Sequence, residues 1–190
     1  MRLSVLEEPE ERGPQFLKKA LGFVPGPVAV MQYRPAFFGR HYARALEEGL
    51  RGGKAWRRGE LELFAAFISS RNQCAYGTQT HGAVAALYLG KAIVREVLAD
   101  YLTASIAEPL RATLIFLEKL TLLPAEVGPE DVQRLREAGV SDQGIREALL
   151  VSFLTAIMNR LSAAFDFEPP PPRLAKPLAL LTRYFGYERG

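Results

Sequence analysis

The stretch Glu62-Leu63-Phe64-Ala65-Ala66-Phe67-Ile68-Ser69-Ser70-Arg71-Asn72-Gln73-Cys74-Ala75-Tyr76-Gly77-Thr78-Gln79-Thr80-His81 decides how this chain reads. It sets a carboxylate twelve residues before a cysteine and an imidazole seven residues after it. Leu61, Phe64, Ala65 and Ile68 recur at helical steps, so a helix is predicted over about Arg58 to Asn72. A second helix follows at once, from about Ala75 to Leu89, closed by Gly90. Cys74 falls at the joint. Seven residues are nearly two turns, so positions 74 and 81 share one face of the second helix. In one continuous helix Glu62 would stand roughly 18 Å from Cys74. Only a sharp reversal near Arg71-Asn72-Gln73 brings it to His81.

Unpaired N–H groups at a helix start favour negative charge, so a cysteine there is expected to yield thiolate readily. Thiolate is the form that attacks a peroxide oxygen or a disulfide. Given the reversal, Glu62 could fix the imidazole tautomer and raise its basicity. Glu60 is the natural control: two residues apart on a helix point about 160° apart, so at most one of the two faces the site. His41, beside Arg40 and off the apolar stripe of its own helix, reads as solvated.

The rest of the chain is helical in character. Phe38, Tyr42, Ala45, Leu46 and Leu50 form one stripe, with Pro35 before it and Gly52-Gly53 behind it. Further helices are predicted over about 91–101, 106–122, 129–138 and 142–165, and a last short one over about 174–184 beyond the run Pro169-Pro170-Pro171-Pro172. The 142–165 helix is apolar nearly all round, so it belongs in the middle of a bundle or against another subunit. Arg160 on it is expected to be buried in helix–helix pairing, and the Phe37-Phe38 and Tyr184-Phe185 pairs to make core or subunit contacts. No segment alternates like a strand. The chain reads as a single all-α domain over 1–190, with a C-terminal arm at about 168–190.

Composition narrows the function. The 190 residues are 48% hydrophobic and 24% charged, with a net charge of +3, too small to argue for a nucleic-acid surface. The basic cluster Lys54, Arg57 and Arg58 reads as a solvated loop. One cysteine cannot make an intramolecular disulfide, and two histidines forty residues apart do not resemble a metal site. The start lacks an apolar stretch of signal-peptide length, and the run Ala148 to Met158 is shorter than the roughly 20 residues of a spanning helix. A soluble, cytoplasmic protein with no metal, no organic cofactor and no membrane partner is expected.

Glu62, Ser69, Asn72, Cys74 and His81 together resemble the motif of the carboxymuconolactone decarboxylase-like superfamily, most closely its alkylhydroperoxidase D-like, peroxidase-related group. Lys119-Leu120 with Pro124, Asp131-Val132 to Asp142, and Met158-Asn159-Arg160 extend the resemblance to roughly 37–167. It implies an alkylhydroperoxidase D-like helical bundle that self-associates as a dimer, trimer or hexamer. In that group a second cysteine, thought to attack the peroxide, stands where this chain has Gly77. The retained Cys74 matches the resolving position. Tyr76 stands where some relatives carry a second histidine. Its phenol could donate a hydrogen bond but is a poor base at neutral pH.

Three functions follow as expectations. The first is an antioxidant, one-cysteine thiol peroxidase acting on hydroperoxides, with Cys74 as thiolate, His81 as proton acceptor, Glu62 as its orienting carboxylate and an external thiol as reductant. Tyr76, Asn72 and Ser69 would support it. The second is a carboxymuconolactone decarboxylase-like acid–base enzyme, in which Cys74 only lines the pocket. The third is a non-catalytic pseudoenzyme of the same fold.

Overall fold

The computed structural model describes residue 19 and residues 22–188. Among them the chain forms nine α-helices and no strand: α1 (Gly26–Tyr33), α2 (Arg40–Arg51), α3 (Arg58–Arg71), α4 (Ala75–Leu89), α5 (Lys91–Asp100), α6 (Glu108–Leu122), α7 (Pro129–Glu137), α8 (Asp142–Phe165) and α9 (Pro172–Phe185). A wide turn of π type, Pro35–Gly39, leads into α2, and a short 3-10 turn, Pro124–Glu126, follows α6. Helix α1 and the wide turn go beyond the sequence expectation. Gly39 is required in that turn, because a Cβ there would lie 2.0 Å from the Met31 carbonyl oxygen.

Helix α3 is the centre of the molecule. Every residue from Leu61 to Ser69 is buried, and Phe64 and Phe67 are wholly enclosed. Burying each such ring stabilises the fold by about 1.5–3 kcal/mol relative to leaving it exposed. Trp56 meets Phe64 edge-on with ring centroids 5.1 Å apart, and its indole N–H donates to the Gly144 carbonyl at 2.9 Å. Glu147 of α8 anchors the loop before α3, accepting the backbone N–H groups of Lys54 (2.7 Å), Ala55 (3.1 Å) and Trp56 (3.0 Å).

The reversal between α3 and α4 is as tight as the site demands. Gln73 adopts a left-handed conformation (φ 56°), its N–H reaches the Ser70 carbonyl, and the Cys74 N–H returns to the Ser69 carbonyl at 2.8 Å. Left-handed residues terminate helices in this way, since they turn the last amides back onto free carbonyls. Helix α4 therefore runs back along α3, its closest packing partner.

Helix α8 is not the encased centre. At 24 residues it is long and apolar enough, by length and composition, to cross a bilayer. Yet Glu147, Ser152, Thr155, Asn159 and Ser162 are buried on it, packed within the bundle, while Leu149, Leu150 and Phe153 lie open. Arg160 is exposed, its guanidinium bonded to the Ala156 carbonyl one turn back, so the expected buried pairing does not occur. The aromatic pairs also divide: Phe38 stacks on Tyr42 at 4.9 Å, but Phe37, Tyr184 and Phe185 are exposed. His41, Lys54, Arg57 and Arg58 are exposed, as their sequence positions suggested.

Beyond the prolines the chain folds back as α9, which packs on α4. Arg51 holds its end. The guanidinium donates to the carbonyls of Thr182 (3.0 Å) and Arg183 (2.9 Å), where the helix dipole is negative, and to Glu47 at 2.8 Å. Glu47 accepts the Tyr187 N–H at 2.7 Å. Gly186 (φ 73°) makes this approach, because a Cβ there would lie 2.1 Å from the Glu47 carboxylate.

Candidate active site

The hairpin brings Glu62 and His81 together. Glu62 is 2% exposed in the middle of α3, and its Oε2 lies 2.8 Å from His81 Nδ1. A carboxylate only accepts hydrogen bonds, so an ionised Glu62 fixes the tautomer with the proton on Nδ1 and the lone pair on Nε2. Glu60 is turned away and caps α3 through the Arg57 N–H at 2.8 Å.

A third group completes the pair. Tyr187, delivered by the C-terminal arm, donates its hydroxyl to Glu62 Oε1 at 2.7 Å and sits 3.4 Å from His81 Nδ1. Burial first, and then the neighbouring Glu62 carboxylate, hold its pKa well above the ordinary phenol value. Tyr187 is thus a neutral donor across the physiological range. Sequence reading overlooked it, since 125 residues separate it from Glu62 and no local pattern marks it.

Cys74 is set apart from these groups. It is the N-terminal cap of α4, its sulfur accepting the Gly77 N–H at 3.5 Å, and it is 9% exposed within the apolar core. Among the described residues no hydrogen bond joins it to His81. Ser69 is fully buried and donates to Asn159 Oδ1 at 3.1 Å. Asn72 is exposed at the end of α3 and takes no part in the cluster. Tyr76 is buried edge-on against Phe167 at 5.8 Å, and burial followed by the nearby Cys74 raises its pKa.

Gly77 has no room for a side chain. A Cβ there would lie 2.3 Å from Ser69 Oγ, 2.8 Å from Ser69 Cβ and 3.1 Å from Asn159 Oδ1. Helix α4 presses onto α3 at this point, and the missing side chain is the condition for that contact.

His81 and Tyr187 line a cavity of about 560 Å³, which suits a small organic molecule. Its apolar walls come from Val28 and Met31 of α1, Leu46 of α2, Met158 of α8 and Leu178 of α9. Tyr76, Gly77, Thr155 and Asn159 also line it, whereas Cys74 does not. No group of three or more potential metal ligands occurs among the described residues.

No protein-family model matches the chain, and no curated protein matches it either. Solved structures do. It is similar to a peroxidase-related protein from Ralstonia eutropha JMP134 described as an alkylhydroperoxidase AhpD core, at 26% identity over 83% of each chain and a TM-score of 0.71. A peroxidase-related protein from Silicibacter sp. TM1040 is 23% identical over 83% of this chain and 82% of its own, with a TM-score of 0.72. The debrominase Bmp8, solved as a cysteine-to-alanine variant in complex with 2,3,4-tribromopyrrole, is 20% identical over 90% of this chain and 94% of its own, at a TM-score of 0.71. With its hairpin, its acid–imidazole pair and these likenesses, the chain has the helical fold of the alkylhydroperoxidase AhpD-like, peroxidase-related proteins.

Proposed function

We propose that the protein is an acid–base enzyme acting on a small, largely apolar organic molecule such as a lactone or keto acid. One observation carries this: the Glu62–His81–Tyr187 relay opens on the cavity, and the thiol of Cys74 does not. His81 Nε2 takes a proton from a carbon beside a carbonyl, and the C–H electron pair moves onto the carbonyl oxygen. Glu62 stabilises the imidazolium so formed, and Tyr187 holds Glu62 in place. Returning the proton to another carbon completes an isomerisation without net oxidation. Positioned bases of this kind contribute about 10²–10⁴-fold to rate. Bmp8 was captured with a small planar ring, which fits a cavity of this size in this fold.

The test is a lactone and keto-acid panel with two variants. Cys74→Ser is expected to retain full activity and His81→Ala to lose at least a hundredfold. Loss of turnover in Cys74→Ser overturns the proposal.

A specific observation favours a second reading, the one-cysteine thiol peroxidase. Cys74 caps α4 with its sulfur on the Gly77 N–H, and two solved neighbours are peroxidase-related. An external thiol would have to resolve the oxidised sulfur. Cys74-dependent consumption of an organic hydroperoxide in the presence of a dithiol selects this reading over the first.

For either chemistry we place the protein in the cytoplasm as a soluble homo-oligomer. The exposed Leu149, Leu150 and Phe153 on α8 support self-association. Sedimentation at two concentrations tests it, a monomer at both refuting that part.

A further inference from the structure

The cavity holds polar groups that the acid–base relay does not use. Tyr76, Thr155 and Asn159 are 8%, 5% and 7% exposed, and all three line it. The Tyr76 hydroxyl has no hydrogen-bond partner among the described residues. Neither has Thr155, although the hydroxyls of Thr78, Thr80, Thr113 and Thr121 each return to the carbonyl four residues earlier. Asn159 spends its Oδ1 on Ser69 and leaves Nδ2 buried without a partner. Burying a donor without an acceptor forfeits its hydration with no return, so the Asn159 amide needs an explanation, and the Tyr76 and Thr155 hydroxyls beside it are open to a molecule in the cavity.

Their placement supplies one. Thr155 and Asn159 are one turn apart on the same face of α8. That face meets α4 at Gly77, whose Cβ position is 3.1 Å from Asn159 Oδ1. Tyr76 is the adjacent residue, and His81 lies one turn beyond Gly77 on the same face of α4. Asn159 therefore meets α4 one turn before His81, and all three donors share the cavity with the base. No carboxylate lines the cavity, and Arg40 is the one permanent cation on its wall among the described residues. An electron-rich oxygen meets these donors and no negative charge; the buried Gln32 Oε1 is an unpartnered acceptor elsewhere on the wall.

We infer that Tyr76, Thr155 and Asn159 form an oxygen-binding recess, and that the substrate is a small apolar molecule whose carbonyl oxygen seats there with its neighbouring carbon against His81. This rests on His81 acting as the base. The recess gives the enolate oxygen its hydrogen bonds as the C–H electron pair arrives, and Val28, Met31 and Met158 cover the apolar body.

The test uses 4-nitrophenolate, a planar mimic of an enolate oxygen, and 4-nitrotoluene, which puts a methyl group in its place. Binding is followed by absorbance and calorimetry. The whole protein is expected to bind the phenolate at least tenfold more tightly than the toluene. Tyr76→Phe, which keeps the ring against Phe167, and Thr155→Val are each expected to weaken phenolate binding about tenfold and to leave toluene binding unchanged. Thr155→Val carries the test alone should Tyr76→Phe not fold. Equal affinity for the two probes, or wild-type phenolate binding in both variants, overturns the inference. His81→Ala is expected to bind phenolate and lose turnover. If it keeps turnover, the base assignment fails while the recess stands. If it loses phenolate binding, the oxygen was held by the imidazole and the recess is refuted.

Discussion

Restoring the second cysteine by Gly77→Cys perturbs this structure at its tightest contact. The new Cβ would sit 2.3 Å from Ser69 Oγ and 2.8 Å from Ser69 Cβ. The hydroxyl could rotate away, but the Cβ is fixed to the backbone of α3, in a segment with no exposed surface. Relief needs α4 to lift from α3 by several tenths of an ångström, which loosens the Glu62–His81 pair one turn further along. Overpacking of this kind costs about 1–3 kcal/mol. In a chain of this size that is a fall in Tm of roughly 2–12 °C, from 2–4 °C per kcal/mol. Thermal unfolding followed by circular dichroism measures it. A double-mutant cycle with Ser69→Ala, which removes the nearest atom, is expected to recover part of the loss as a non-additive term of about 0.5–1 kcal/mol. A Gly77→Cys protein melting within about 1 °C of the wild type would show that the helices are not in forced contact, and the argument for a closed position would fall.

Other perturbations test the remaining links. Tyr187→Phe removes the donor on Glu62 Oε1, and kcat is expected to fall about tenfold while KM changes little; a change confined to KM would refute its role in holding Glu62. Arg51→Ala frees the carbonyls at the end of α9, so amide exchange across Pro172–Phe185 should quicken about thirtyfold, equivalent to about 2 kcal/mol of local stability. Glu147→Ala strands the N–H groups of Lys54, Ala55 and Trp56 and should cost about 3 kcal/mol in urea unfolding. Burial opposes ionisation of Glu147, but those donors outweigh it and lower its pKa, so its contribution is present above the unfolded carboxylate value and lost as pH falls. At the alkaline end, burial raises Tyr42, Tyr76 and Tyr187 above the ordinary phenol value. The native state then keeps protons that the unfolded chain releases above about pH 10, so stability should fall with rising pH beyond that point. Urea unfolding between pH 8 and 11 measures this, and phenolate absorbance from all seven tyrosines without unfolding would contradict it.

Much of the architecture could be read along the chain because its signals are local. Gly90 ends α4, Pro129 opens α7 and Ser141 caps α8 through the Gly144 N–H, each acting within a turn of its own position. Helix α1 escaped because eight residues between prolines carry no clear stripe. The apolar run of α8 leads to an expectation of burial in the bundle or against another subunit, and apolar content alone does not say which. Leu149, Leu150 and Phe153 satisfy the pattern and still face outward.

Within the site, the sequence offers Glu62 to His81 on condition of a sharp reversal near Arg71-Asn72-Gln73, and the structure supplies the reversal and the pair. Which groups share the cavity was decided only by tertiary structure. Cys74 is seven residues from His81 yet off the cavity wall, whereas Tyr187, 106 residues away, touches it. Thr155 and Asn159 reach the same wall from α8. The physical reason is that neighbours along a helix inherit their directions from its periodicity, while contacts across the bundle depend on how closely two helices approach. Here that approach is set by an absent side chain at Gly77 and by the Arg51–Glu47 clasp on the returning arm.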